Sequence, residues 1–239
     1  MEILVFKTKE EVSNYIAKEI IKQIEEKPSS VLGLATGSTP KGAYHILKED
    51  YNKYQRDYSK VVTFNLDEYV GVDEGGPNSY RTYMDDALFT ALNIPKEHQY
   101  FPLQSNVEKY DDLIEEKGGI DLQLLGIGIN GHIAFNEPGS SFESKTRVVE
   151  LDESTRERNA KYFKDKHNVP THAISMGIAS IMKAKRIILA ATGEAKKEIV
   201  KQFIERDITE GLPASILKSH NSVTLVLDEQ AAQYIDSND

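Results

Sequence analysis

Three short stretches bring side chains able to hold an anion or move a proton beside glycines that loosen the backbone. In the first, GLATGSTPKGAY at 33–44, an apolar run stops at the small, hydroxyl-rich turn of Gly37, Ser38 and Thr39. A helix opening there presents unpaired N–H groups and a positive dipole end, which favour an anion such as a phosphate. The same residues also suit an ordinary strand-to-helix turn, with Thr39 as N-cap and Pro40 in the first helical turn. A nucleoside-triphosphate loop is excluded, because Ala43 stands after Gly42 where a Lys is needed. In the second stretch, NLDEYVG at 65–71, Asp67 and Glu68 adjoin where another apolar run ends. Neighbours on an extended chain point opposite ways, so only one of the two can face a pocket. A carboxylate desolvated there gains proton affinity and can act as a base on a carbon acid; the plainer role for Asp67 is a loop cap.

The third stretch, GIGINGHIAFNEPGSSF at 126–142, contains a literal G-x-G-x-x-G with Glu150 and Asp152 about 20 residues further on. A dinucleotide site needs a helix directly after the third Gly, and Pro138-Gly139-Ser140-Ser141 breaks any helix within two turns. What remains is a glycine-rich loop holding His132 and Glu137 five residues apart, with Asn130 beside them. A neutral imidazole oriented by a side-chain carbonyl or carboxylate is a competent proton shuttle. A structural His is the alternative, and a metal ligand the weaker one, since no second ligand stands at a spacing such as H-E-x-x-H. Two lysines complete the set. Lys161 lies in a polar, helix-like stretch, and Lys196 opens a helix beside Gly193, where it opposes the dipole unless an anion lies between them. A solvated surface Lys is the commoner explanation of Lys196.

The elements that must position these residues follow from periodicity. Thr8 and Glu11 are spaced as a capping box, and Val12, Tyr15, Ile16, Ile20 and Ile24 follow at helical intervals. Apolar runs at 31–35, 61–66, 122–127, 186–191 and 223–227 read as strands; helices are expected from Pro40 and over 79–92, 107–117, 194–206 and 228–235. The strands are near-continuous apolar runs, as in a sheet covered on both faces. Strands alternating with helices imply a parallel sheet built by right-handed crossovers. The expectation is one α/β domain of Rossmann-like type over 1–239, mostly parallel, with helices on both faces. The polar stretch at 152–167 belongs to a lid insertion, at about 147–172, over the strand carboxyl ends, where such folds bind their ligands.

Composition narrows the function. The chain has 239 residues, 39% hydrophobic and 28% charged, which suits one folded domain and argues against disorder. Cys is absent, which removes disulfides, thiolate metal sites and thiol nucleophiles. A net charge of −9 disfavours nucleic acid and anionic membranes as partners. No stretch reads as a signal peptide or a membrane span, so the chain is expected in the cytoplasm.

In register and order, the strings GLATGSTPKGAY, NLDEYVG, PNSY at 77–80 and GIGINGHIAFNEPGSSF resemble the glucosamine-6-phosphate deaminase (isomerase) family, over essentially the whole chain. The resemblance implies that glucosamine 6-phosphate and water become fructose 6-phosphate and ammonia, with no cofactor and no metal. It casts Asp67 as the base that moves a proton between C2 and C1. Asn130, His132 and Glu137 then serve ring opening, and Gly37, Ser38, Thr39, Lys161 and Lys196 hold the phosphate. Other members carry Asp where this chain has Asn130, and Arg where it has Lys161; Lys makes a point-charge contact in place of a bidentate one. The alternatives are a 6-phosphogluconolactonase-like hydrolase and a non-catalytic sugar-phosphate-binding regulatory module. Some longer members of that family are hexamers activated by N-acetylglucosamine 6-phosphate. Here Arg147 matches one basic contact for that effector, but Val149 replaces a second, and the chain ends without their C-terminal extension. A non-allosteric monomer or small homo-oligomer is therefore expected.

Overall fold

Strands without polar alternation belong at the centre of a sheet. The computed structural model describes residues 1–160, 163 and 168–235. Its strands are β1 (Glu2–Phe6), β2 (Val31–Leu34), β3 (Val62–Asn65), β4 (Asp67–Tyr69), β5 (Gln99–Tyr100), β6 (Leu122–Gly126), β7 (Arg147–Glu150), β8 (His172–Ser175), β9 (Arg186–Ala191) and β10 (Val223–Asp228). Seven of them form one sheet in the order β1-β10-β9-β6-β2-β3-β5, with every pair parallel. The Rossmann-like expectation holds.

The helices are α1 (Lys9–Glu26), α2 (Lys41–Tyr54), α3 (Tyr80–Met84), α4 (Tyr110–Glu116), α5 (Glu153–Asn159), α6 (Ile178–Met182) and α7 (Lys197–Glu205). α1 begins as its sequence requires: the Thr8 hydroxyl accepts from Glu11 N–H, and the Glu11 carboxylate accepts from Lys7 N–H. Its buried stripe of Val12, Ile16, Ile20 and Ile24 packs with Leu47 of α2 and Met84 of α3 on one face of the sheet. Ile114, Ile181, Ile199 and Phe203 of α4, α6 and α7 cover the other face. The helix expected over 79–92 forms as α3 followed by a π turn, Asp85–Phe89. Among the described residues no helix is long and apolar enough to cross a membrane.

From β2 the chain steps outward to β3 and β5, and from β6 outward to β9 and β10. The order therefore reverses between β2 and β6, and a crevice opens beyond their carboxyl ends. A second sheet, β4-β8-β7, antiparallel throughout, stands there; Met176 N–H beyond β8 donates to the Leu66 carbonyl at 2.7 Å.

Three expectations need correction. No helix forms over 228–235: the chain runs in turns, and the Asp228 carboxylate, accepting N–H bonds from Gly193 and Ala231, ties the strand end to its neighbour. Thr39 is not a helix cap; α2 starts at Lys41 after Pro40, which offers no side-chain cap. The edge strand β1, despite its short apolar run Ile3 to Phe6, and the small second sheet were not expected from the sequence.

Candidate active site

A cleft of about 370 Å³ occupies the crevice and collects all three stretches. Its floor is the turn after β2. Gly37 takes φ +93°, a conformation that favours glycine, and its carbonyl accepts a 2.6 Å hydrogen bond from the Tyr83 hydroxyl. Ser38 and Thr39 line the same end. Lys196, in the Glu194–Lys196 turn that precedes α7, lines it from the other side and donates to the Ile127 carbonyl at 2.6 Å. A glycine-opened turn and an ammonium thus meet at one end of the cleft, a combination that suits an anion. Lys161 lies outside the described residues.

On β4 the two adjacent carboxylates part as strand alternation requires. Asp67 lines the cleft and is 8% exposed. Burial first, and the Glu68 charge second, push its carboxyl up from 3.8 to about 8. Glu68 turns away to the start of α3, where it accepts N–H bonds from Tyr69 (2.9 Å), Tyr80 (3.0 Å) and Arg81 (3.0 Å). It fixes the segment 77–80 against β4.

The loop after β6 folds on itself: Gly128 N–H donates to the His132 carbonyl at 2.9 Å, and Gly131 N–H to the Gly128 carbonyl at 3.0 Å. The His132 ring lies against Gly128 so closely that a Cβ there would stand 2.4 Å from the ring. His132 Nδ1 is 3.3 Å from Glu137 Oε2, which also accepts from Asn130 Nδ2 at 2.6 Å. A proton on Nδ1 facing this carboxylate leaves Nε2 for the cleft, which His132 lines while Asn130 and Glu137 stand behind it. Burial raises the Glu137 carboxyl, but hydrogen bonds and charge from His132, with Thr155 and Asn130, outweigh it and bring it from 4.5 to about 2. Asn136 anchors the loop, donating to the Ile133 and Met176 carbonyls and accepting from Arg147.

Several contributors were not singled out in the sequence. The Thr155 hydroxyl donates to Glu137 Oε1 at 2.7 Å, and Asn159 Nδ2 donates to the Tyr69 hydroxyl at 2.9 Å. Their i, i+4 spacing on the helix-like 152–167 stretch is the one signal that could have found them. Tyr69, Tyr80, Phe135 and Phe163 form an aromatic wall, with ring centroids 4.8 to 6.3 Å apart. Among the described residues, no three His, Asp or Glu side chains gather where they could hold a metal.

A family model described as glucosamine-6-phosphate isomerases/6-phosphogluconolactonase matches residues 7–226. A glucosamine-6-phosphate deaminase of Thermoanaerobacter sp. (strain X514) is 47% identical over 245 aligned residues, covering 100% of this chain and 97% of its own. Another, from Geobacillus sp. (strain WCH70), is 49% identical over 232 residues, covering 95% and 92%. Among solved structures, a monomeric glucosamine-6-phosphate deaminase superposes with a TM-score of 0.95 at 42% identity, covering 98% of this chain and 99% of that one. The 6-phosphogluconolactonase from Trypanosoma brucei shares the fold, with a TM-score of 0.77 at 21% identity over 98% of each chain.

Proposed function

The chain belongs to the glucosamine-6-phosphate isomerase/6-phosphogluconolactonase family, and from that premise we infer that it converts glucosamine 6-phosphate and water to fructose 6-phosphate and ammonia. The observation that carries this reading over lactone hydrolysis is the pairing of two acid–base groups in one cleft. Asp67 has a raised proton affinity, and the separate His132–Glu137 pair stands on another strand end. Opening a lactone by water needs no base at C2; moving a proton from C2 to C1 does.

The phosphate binds the N–H groups of Gly37, Ser38 and Thr39 and the Lys196 ammonium, and Lys161 adds a contact from the lid segment 147–172. This holds the sugar by an end remote from the reacting carbons. His132 Nε2 takes the C1 hydroxyl proton and returns it to the ring oxygen, which breaks the C1–O5 bond and frees the aldehyde. Glu137 and Asn130 keep the imidazole oriented through this exchange. Asp67 then removes the C2 proton, now acidic beside the carbonyl, and an enol with an amino group at C2 forms. Reprotonation at C1 leaves an imine at C2; water adds to that carbon, and ammonia departs as the ketone forms. Electrons and protons balance within the substrate and one water, so the reaction calls for no redox partner. A regulatory binding module would bind the same sugar phosphate without turnover. Cytoplasmic residence, with no nucleic acid or membrane partner, and action as a monomer or small homo-oligomer complete the reading.

Paired assays test it. Purified protein should release ammonia from glucosamine 6-phosphate and leave 6-phosphogluconolactone to its spontaneous hydrolysis. Accelerated lactone hydrolysis without ammonia release would favour the hydrolase, and binding without turnover the regulatory module.

A further inference from the structure

Glu137 reaches its full set of hydrogen bonds only through α5. Oε2 takes the donors of its own loop, Asn130 Nδ2 at 2.6 Å and His132 Nδ1 at 3.3 Å. Oε1 takes the Thr155 hydroxyl at 2.7 Å, and Thr155 is buried, at 3% exposure. One helical turn further along the same face, Asn159 donates to the hydroxyl of Tyr69, two residues beyond Asp67. α5 thus touches both acid–base groups' neighbourhoods at once, through two side chains that also line the cleft.

We propose that Thr155 is a positioning residue for His132, acting through Glu137, so that the ring-opening pair is complete only while α5 is docked on the cleft. A carboxylate holding an imidazole at 3.3 Å is a loose clamp unless its own plane is fixed, and the second oxygen is where the plane can be fixed. Asn130 and His132 both pull on Oε2. Without Thr155 the carboxylate can rotate about its last bond, and the Nδ1 contact that sets the tautomer and ring angle of His132 loosens. Docking of α5 is then coupled to readiness for ring opening, because the docked helix supplies the donor that fixes the carboxylate. This rests on the deaminase reading for its kinetic consequence, but not for the positioning itself.

The test compares Thr155→Val, which keeps the shape and removes the donor, with Thr155→Ser, which restores the donor. Two readouts are taken: steady-state ammonia release from glucosamine 6-phosphate, and the His132 Nδ1–H resonance in the substrate-free protein. The Val variant should lose about tenfold in kcat with KM within about twofold of wild type, and its imidazole resonance should move or broaden. The Ser variant should regain at least about half of kcat and the original resonance. Should the Val variant fail to fold, Thr155→Ala takes its place with the same expectation. Unchanged kcat and resonance in the Val variant would overturn the proposal. So would a raised KM with kcat intact, which would reduce Thr155 to a peg that merely docks α5. If the wild-type protein released no ammonia, the deaminase reading would fall, while the resonance would still decide whether Thr155 positions His132.

Discussion

At Asp67 the proton affinity is set by burial first and by the neighbouring Glu68 charge second, which together bring the carboxyl to about 8. The base must be ionised to take the C2 proton, so kcat/KM should rise with pH through about 8. Tyr69, Tyr80 and Tyr110 also face this carboxyl, but their hydroxyls are pushed upward by burial and stay neutral over that range, leaving Glu68 as the charged neighbour. Glu68→Gln removes that charge and should move the acid limb of the profile to lower pH by roughly half to one unit. It also replaces an acceptor of three N–H groups, so a loss of about 1–3 kcal/mol of stability should accompany it. A limb that does not move would separate Glu68 from the chemistry. At His132 the expected defect is of another kind: His132→Gln should impair the cyclic substrate most and a trapped open-chain form less, measured as kcat/KM on each. Equal losses would contradict its role at the ring oxygen.

The elements explain why these residues converge, and they also show what a sequence reveals. The central strands β2, β3, β6, β9 and β10 were legible because burial on both faces writes itself as near-continuous apolar runs. The parting of Asp67 and Glu68 was legible because strand alternation is local. Legibility failed where a long-range contact decides the outcome. The edge strand β1 has one neighbour, β10, and its short apolar run Ile3 to Phe6 leaves Ile3 and Val5 exposed, so the run alone does not mark a core strand. At 228–235 helical periodicity did not become a helix: the segment runs in turns, with the Asp228 carboxylate bonded across to Gly193. Thr155 and Asn159 sit in a polar stretch whose purpose shows only when α5 folds back over the cleft. The tight loop after β6 offers a prediction at this scale. A Cβ on Gly128 would stand 2.4 Å from the His132 ring. Gly128→Ala should therefore displace the imidazole and cut kcat by roughly 10- to 100-fold, with the melting temperature little changed. Near-normal turnover would show that the close packing of ring on glycine is incidental.

For the whole molecule, opposite carboxylate shifts shape stability against pH. Asp67 binds its proton up to about 8 in the fold and up to 3.8 as an ordinary carboxyl, so its contribution is present below 3.8 and is lost as pH rises through 8. Glu137, held near 2 against 4.5, contributes above 4.5 and loses that contribution as pH falls toward 2. Regulation is the other property at this scale. Arg147, which the resemblance alone would set at an effector contact, already donates to the Asn136 side chain and the Lys145 carbonyl, and Val149 and Glu150 follow it. A phosphate dianion needs several convergent donors, and without an effector site there is no coupling free energy to express. Rate against substrate should be hyperbolic and unchanged by N-acetylglucosamine 6-phosphate, and chelators should leave the rate unchanged. A sigmoidal curve made hyperbolic by that compound would refute the first expectation, and loss in EDTA restored by a divalent ion the second.

The fate of the hydrogen at C2 tests the account most directly. Glucosamine 6-phosphate carrying deuterium at C2 is given to the wild-type protein and to Asp67→Asn, and the loss of deuterium from C2 is followed together with ammonia. The account predicts that the wild type strips deuterium from C2 in step with ammonia release. Asp67→Asn should still bind the phosphate while both rates fall by roughly 100-fold or more. Ammonia release and deuterium loss in Asp67→Asn at near the wild-type rate would contradict it.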